Sequence, residues 1–327
     1  MIISRTPFRL SFFGGGTDYP VWYMENGGAV LGTTINKYCY ITLRYLPPFF
    51  EHKHRIVYSQ MEHVYNTEEI RHPSVRETLR FMDISDGVEI HYNGDLPART
   101  GLGSSSSFTV GLLHALYALK GRMIGKMQLA REAIFIEQER IKENVGSQDQ
   151  VLVSMGGLNR VDFGKDDIQV QPITLEQQRL DQLQNHLMLF FTGFSRTASQ
   201  IAGEQIRNTP NKAAELRAMH QMVDEAIDII TGDGDLESFG KLLDESWKLK
   251  RSLTNKISTP YINYIYDTAL KAGATGGKLI GAGGGGFILF FIRPELRERV
   301  KESLSGLLHV PIRFENSGSQ IVYYSND

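Results

Sequence analysis

A single cysteine, Cys39, in 327 residues rules out an intrachain disulfide and an all-cysteine metal site. Net charge is scarce as well. With 35 basic against 37 acidic side chains the formal charge is −2, and the basic residues are scattered, so there is no electrostatic footprint for nucleic acid. Long apolar runs are missing. The longest late one, residues 287–292, has strand length and falls far short of a membrane span. Arg5 and Pro7 break the stretch where a signal peptide needs an unbroken apolar core. The histidines show no metal-ligand spacing, and neither a Gly-x-x-x-x-Gly-Lys-Ser/Thr loop nor a Gly-x-Ser-x-Gly elbow occurs. These absences point to a cytoplasmic protein with a small-molecule partner, no nucleic acid and no membrane, and they leave the oligomeric state open.

What the chain does hold is glycine, 32 residues of it, much of it gathered in three places. Gly14-Gly15-Gly16-Thr17-Asp18-Tyr19 follows a strand pattern through Pro7-Phe8-Arg9. Gly101-Leu102-Gly103 runs into Ser104-Ser105-Ser106-Ser107, and Gly281-Ala282-Gly283-Gly284-Gly285-Gly286 precedes an apolar strand. Glycine loses more conformational freedom on folding than any other residue, so such clusters mark backbone that turns sharply or comes close to a ligand. One helix cap would explain one serine. Four serines and two glycines before an apolar helical pattern gather N–H groups and hydroxyls at the positive end of a helix, which is an anion site. The last glycine run names no chemistry and reads as close packing against backbone or ligand.

A chain of this length exceeds one ordinary core and suggests two domains sharing a cleft. Segments rich in β-branched and aromatic residues predict strands at 2–13, 38–45, 55–58, 88–92, 157–163, 168–172, 186–191 and 287–292, near 310–314 and at 319–324. Apolar residues at helical spacing predict helices after the serine cluster as far as Gly121, and at 127–142, 213–230, 236–253, 260–272 and 294–308. The polar stretch 176–184 places the boundary, giving domains 1–180 and 181–327 of an α/β (α+β) protein.

Four charged residues stand out. Glu139 lies three residues after Ile136 and four after Phe135, which leans it toward the apolar side of a helix, where a carboxylate wants a cation. Asp149 stands at the start of another helix and alone reads equally well as a helix-start charge. Arg9 in the first strand and Asp18 in the triple-glycine turn are, taken alone, an edge arginine and a turn aspartate.

In order and spelling the three glycine segments resemble the motifs of the GHMP kinases, the family of galactokinase, homoserine kinase, mevalonate kinase and phosphomevalonate kinase. The resemblance covers nearly the whole chain. It runs from Pro7-x-Arg9 and Gly-x-x-Thr17-Asp18-Tyr19, through Pro97-x-x-x-Gly101-Leu102-Gly103-Ser104-Ser105-Ser106, to the six residues from Gly281. It implies the two-domain GHMP kinase fold, with an N-terminal domain like that of ribosomal protein S5, a C-terminal ferredoxin-like α+β domain, and a cleft between. It further implies ATP and Mg²⁺. By the same resemblance the backbone of Gly101, Leu102, Gly103, Ser104, Ser105, Ser106 and Ser107 would hold the ATP phosphates. Ser105 and Glu139 would hold Mg²⁺, Asp149 would be the base, and Arg9 would steady the reacting groups. Gly14, Gly15, Gly16, Thr17, Asp18, Gly283 and Gly284 would line the acceptor.

Where galactokinases carry Gly-Glu-His before Thr-Asp-Tyr, this chain has three glycines, so the side chains that would contact a hexose are missing. The first motif's spelling, Gly146-Ser147-Gln148-Asp149-Gln150 and residues 191–196 look most like the D-glycero-D-manno-heptose 7-phosphate kinases, which phosphorylate an anomeric hydroxyl. Arg196 is then the candidate cation for the sugar's existing phosphate, with a solvated arginine as the even alternative. A hexose 1-kinase acting on fucose or a uronic acid is the runner-up reading. A sensor that binds ATP and sugar without transfer is a more distant one.

Overall fold

β1 (Ile2–Phe13) alternates buried and half-buried residues over its first four positions and is buried throughout thereafter, the pattern of a strand that becomes covered on both faces. It lies in a computed structural model that describes residues 1–98, 100–193 and 198–325. After β1 come α1 (Pro20–Asn26), β2 (Gly28–Tyr45), β3 (His54–Val57), β4 (Met61–Val64), α2 (Pro73–Phe81) and β5 (Val88–Gly94). Helices α3 (Ser104–Leu119), α4 (Lys126–Phe135) and α5 (Gln148–Met155) follow, then β6 (Leu158–Phe163) and β7 (Ile168–Pro172). The second half runs α6 (Gln177–Asn185), β8 (Leu187–Gly193), α7 (Ala198–Asn208), α8 (Ala213–Thr231), α9 (Glu237–Ser252) and α10 (Pro260–Ala272). It closes with β9 (Ala274–Leu279), β10 (Gly286–Ile292), α11 (Arg297–Ser303), β11 (Leu308–Val310), β12 (Phe314–Glu315) and β13 (Gln320–Tyr324).

Two sheets result. The larger is ordered β13-β1-β2-β5-β3-β4, with β6 and β12 also paired to β2 and β7 paired to β6. Helices α3, α5 and α8 all pack on β1 and β2. The smaller sheet, β11-β8-β10-β9, is antiparallel, and α9 and α10 pack on β9. Every residue of β10 is buried, which is why its sequence is continuously apolar rather than alternating. The two sheets share a core. Phe239 of α9 meets Phe12 and Phe13 of β1 edge-on, with ring centroids 5.6 and 5.1 Å apart. Burying each such ring stabilises the fold by roughly 1.5–3 kcal/mol, so β1 is fixed against the second half as well as within its own sheet.

A cut at residue 180/181 does not match the pairing. β12 joins β2 and β13 joins β1, so residues 314–324 return to the first sheet. Strands this short, with mixed polar faces, carry no mark of the sheet they will join. The expected boundary stretch is itself helical as α6, where Leu183 is the buried residue, too little apolar period to be seen. The helix expected over 294–308 is α11, preceded by a 3₁₀ turn, and Leu308 already begins β11. The helix expected to reach residue 142 ends as α4 at Phe135 and continues as a π-helical turn, Ile136–Arg140.

Candidate active site

The first turn of an α-helix leaves its N–H groups without intrahelical acceptors. In α3 that turn is the serine run. Gly103 caps it in the left-handed region, φ 76°, and the Ser107 N–H closes the turn on the Gly103 carbonyl at 2.8 Å. The loop before it is fixed by Arg9. From β1, the Arg9 backbone N–H donates to the Leu102 carbonyl (3.1 Å) and its Nη1 donates to the Gly101 carbonyl (2.7 Å). The rest of the guanidinium grips Asp149, with Nε to Oδ1 at 2.8 Å and Nη2 to Oδ2 at 2.7 Å. Arg9 is 4% exposed and the Asp149 side chain 24%. This is a bidentate, charge-assisted pair that sets the aspartate against the serine-rich helix start.

Asp18 reaches the same place from the glycine turn. Its Oδ1 accepts the Gly16 N–H at 2.9 Å, its Oδ2 accepts the Gln148 side-chain amide at 2.9 Å, and its carbonyl accepts the Ser147 N–H. Burial, with Asp149 adding to it, holds the Asp18 carboxyl above its ordinary pKa. Gly146 has to be glycine, because a Cβ there would overlap Asp18 Oδ2. The turn is thus bolted to the segment that carries Asp149.

The third glycine run packs on the second. A Cβ on Gly281 would overlap the Gly101 Cα, one on Gly286 the Thr100 carbonyl, and one on Gly101 the Ile280 carbonyl. Gly101 also stands at φ 86°, a conformation that costs a side-chain-bearing residue about 1–3 kcal/mol even without a clash. Gly101→Ala should therefore lower stability to urea by more than that and weaken ATP binding; an unchanged urea midpoint would contradict this packing.

Several expected residues are placed differently. Thr17 is fully buried, and its hydroxyl lies against the Gly14 and Ala29 carbonyls, so Thr17 and Gly14 shape the turn. Gly283 and Gly284 pack on Ile257, whose carbonyl accepts the Gly284 N–H at 2.9 Å. Ser105 is exposed at the helix mouth, and Ser107 is spent on the Pro7 carbonyl. Glu139 is exposed and does not face the serines. The carboxylate that does is Glu137. The π-helical turn changes the residue phase, and Phe135, taken as a marker of the apolar side, is 44% exposed. Arg196 lies outside the described residues.

Glu137 is fully buried. Its Oε2 accepts from the Ser106 hydroxyl at 2.9 Å and from the Gln150 amide, while Oε1 has no hydrogen-bond partner. The Thr109 hydroxyl, which donates to the Ser105 carbonyl at 3.2 Å, lies close enough to favour the charged form of the carboxyl. Burial pushes the Glu137 carboxyl up to about 7. A bare, buried carboxylate oxygen beside serine hydroxyls suits a small divalent cation, and it is the feature of this site that fits Mg²⁺.

Two buried lysines escaped the sequence reading. Lys250 of α9 donates to the Gly281 carbonyl, and Lys278 of β9 donates to the Phe12 carbonyl at 2.6 Å. The signal was present: Lys250 follows Leu243 and Trp247 at helical spacing on the apolar face, and Lys278 directly precedes Leu279 and Ile280 in the buried β9–β10 region.

The geometry accords with the comparisons. Residues 70–157 match the GHMP kinases N terminal domain and residues 216–309 the GHMP kinases C terminal domain. The chain is 27% identical over 318 residues to the D-glycero-alpha-D-manno-heptose 7-phosphate kinase of Campylobacter jejuni, covering 93% of each. It is 24% identical to the L-fucokinase/L-fucose-1-P guanylyltransferase of Bacteroides fragilis, covering 93% of this chain and 36% of that protein. In fold it is similar to the crystal structure of a D-glycero-D-manno-heptose 1-phosphate kinase from Bacteroides thetaiotaomicron, with a TM-score of 0.79 and 24% identity over the full length of both. Among the described residues no helix is long and apolar enough to cross a membrane. With both domain signatures in order and the GHMP kinase fold around them, the chain belongs to the GHMP kinases, which are phosphotransferases.

Proposed function

We propose that this kinase uses ATP and Mg²⁺ to phosphorylate the anomeric C1 hydroxyl of D-glycero-D-manno-heptose 7-phosphate, giving the 1,7-bisphosphate by direct in-line transfer. The observation that carries the reading is the bidentate Arg9–Asp149 pair held at the mouth of the serine-rich helix α3. The Campylobacter relative, which acts on a heptose 7-phosphate by its name, supports the substrate.

ATP phosphates would lie on the N–H groups of residues 101–107, where the helix dipole favours negative charge. The acceptor hydroxyl would rest on Asp149. A carboxylate has about four lone-pair sites, so the two given to Arg9 leave room for the hydroxyl's proton. The hydroxyl oxygen attacks the γ-phosphorus, the bond to the β–γ bridging oxygen breaks, and ADP leaves with the electron pair. Arg9 aims the aspartate and ties it to the phosphate loop. Asp18 keeps lone pairs for a sugar hydroxyl. Glu137, with the hydroxyls of Ser105 and Ser106, would hold Mg²⁺, whose contribution when bound is to neutralise charge on the phosphate oxygens. Arg196 remains our candidate for the sugar's own phosphate.

A second reading, a hexose 1-kinase for a neutral sugar, is favoured by the similarity to the fucokinase-bearing protein. ADP release with Mg²⁺ against heptose 7-phosphate, free heptose, fucose, galactose and mannose separates the two. Our reading expects the highest kcat/KM for heptose 7-phosphate; a higher value for fucose would replace it with the second reading.

A further inference from the structure

Lys250 and Lys278 are buried charges that the base, the arginine and the phosphate loop leave unexplained. Lys250 is 6% exposed and Lys278 2%. An ammonium has three donors, and among the described residues each lysine gives one to a backbone carbonyl and none to a carboxylate. Burying an ammonium so weakly compensated is costly, and an apolar side chain of similar length would fill either position without that cost. The balance of charge is informative. Five buried or half-buried groups interact across the two halves: Arg9 from β1, Asp18 from the glycine turn, Asp149 from α5, Lys250 from α9 and Lys278 from β9. Asp149 is paired to Arg9, and Asp18 is satisfied by neutral amides. Three cations against two carboxylates leave one positive charge in surplus, and because burial holds the Lys278 ammonium well below its ordinary pKa, Lys250 is the lysine that carries it.

The position of Lys250 says which anion the surplus meets. Its ammonium rests on the carbonyl of Gly281, and Gly281 packs against Gly101 at the seam between the last glycine run and the phosphate loop. Arg9 holds the Gly101 carbonyl from the other side. We propose that Lys250 is a further catalytic residue, its ammonium donating to the γ-phosphoryl group as that group passes from ATP to the acceptor. This rests on the kinase reading of the site and not on the identity of the sugar. In the step, the bond from the acceptor oxygen to phosphorus forms and the bond to the ADP oxygen breaks. The proton goes to Asp149, and Lys250 keeps its own proton throughout. Burial, with Arg9 adding to it and Asp18 and Asp149 opposing, lowers Lys250 to about 8; an arriving phosphoryl dianion draws the proton back. The donor site should therefore weaken as pH rises through about 8.

The test is Lys250→Met, with Lys278→Met beside it. The first readout needs no acceptor: the affinities for AMP-PNP and for ADP, each with Mg²⁺, by calorimetry. Wild type should prefer AMP-PNP. Lys250→Met should lose that preference by at least about tenfold and keep its ADP affinity, since a charged hydrogen bond is lost at the γ-phosphoryl alone. The second readout is turnover, which should fall at least about thirtyfold and by the same factor for phosphorylated and unphosphorylated acceptors. Wild-type kcat/KM should show an alkaline limb near pH 8 that the variant lacks. Lys278→Met, which removes a group whose charge burial already disfavours, should keep the AMP-PNP preference. The thermal midpoint of Lys250→Met should not fall, because the variant removes a poorly compensated charge. An equal loss of ADP and AMP-PNP binding would overturn the proposal. So would a loss confined to phosphorylated acceptors, which would assign Lys250 to the acceptor's own anion. If wild type turns over no sugar while the AMP-PNP preference behaves as stated, the substrate reading fails and the role of Lys250 stands.

Discussion

Asp149→Ala is expected to lower turnover by at least about a hundredfold, the usual contribution of a positioned general base, while ATP binding persists. The two effects separate because the hydrogen bonds to Gly101 and Leu102 of the loop come from Arg9, while Asp149 only lies beside Gly103. Truncation leaves a buried guanidinium without its carboxylate, and breaking a buried pair in this way costs about 3–5 kcal/mol. Asp149→Asn is therefore the companion variant. It keeps the shape and one acceptor for Arg9 but cannot take the proton as an aspartate does. Both variants should be slow, with the asparagine form nearer to wild type in urea midpoint. Near-normal turnover by either, measured as ADP release in parallel with calorimetric ATP binding, would remove Asp149 from the role of base.

Glu137→Gln should make the metal-free protein more stable and the enzyme inactive. The folded carboxyl titrates at about 7 against an ordinary value near 4.5, because burial disfavours its charge. The fold therefore binds a proton that the unfolded chain has released between those values. Stability from this group is fully present below the unfolded pKa and is lost as pH rises through about 7, amounting to roughly 3 kcal/mol by pH 8. Glutamine stays neutral and should erase that slope. In wild type at pH 8, Mg²⁺ should raise the thermal midpoint by compensating the buried charge, and in the variant it should not. A wild-type stability profile that is flat from pH 4.5 to 8 would contradict the raised carboxyl, and an equal Mg²⁺ shift in both proteins would show that Glu137 does not hold the cation.

Where the glycines and serines fall was enough to locate the helix start of α3 and the tight turn before it, because close backbone approach and a helix start both demand particular residue types in particular order. Gly281 lies on the backbone of Gly101 and Gly286 on that of Thr100, which is why the third run read as packing before any chemistry could be named. Pairing of Arg9 with Asp149 was not legible from spacing, since 140 residues separate them. Family resemblance pointed to both residues without pairing them. Helical spacing leans Glu139 toward the apolar side, yet Glu137 is the buried carboxylate, because spacing assumes 3.6 residues per turn and a π-helical turn breaks that phase at these residues. Lys250 was legible for a different reason: it falls on the apolar face of the helix predicted at 236–253, and an unexplained charge in a core is the kind of local conflict that marks a functional site. The return of β12 and β13 to the first sheet was beyond reach, because two- and five-residue strands do not specify their partners.

The central claim is that this chain transfers phosphate to the anomeric oxygen of a sugar that already carries one. Phosphorus NMR of the product formed from ATP, Mg²⁺ and D-glycero-D-manno-heptose 7-phosphate tests it most directly. A new anomeric phosphate resonance beside the retained 7-phosphate signal, absent with Asp149→Ala, is the predicted result. No new resonance with this acceptor, together with a sugar 1-phosphate signal from fucose or another unphosphorylated sugar, would contradict it.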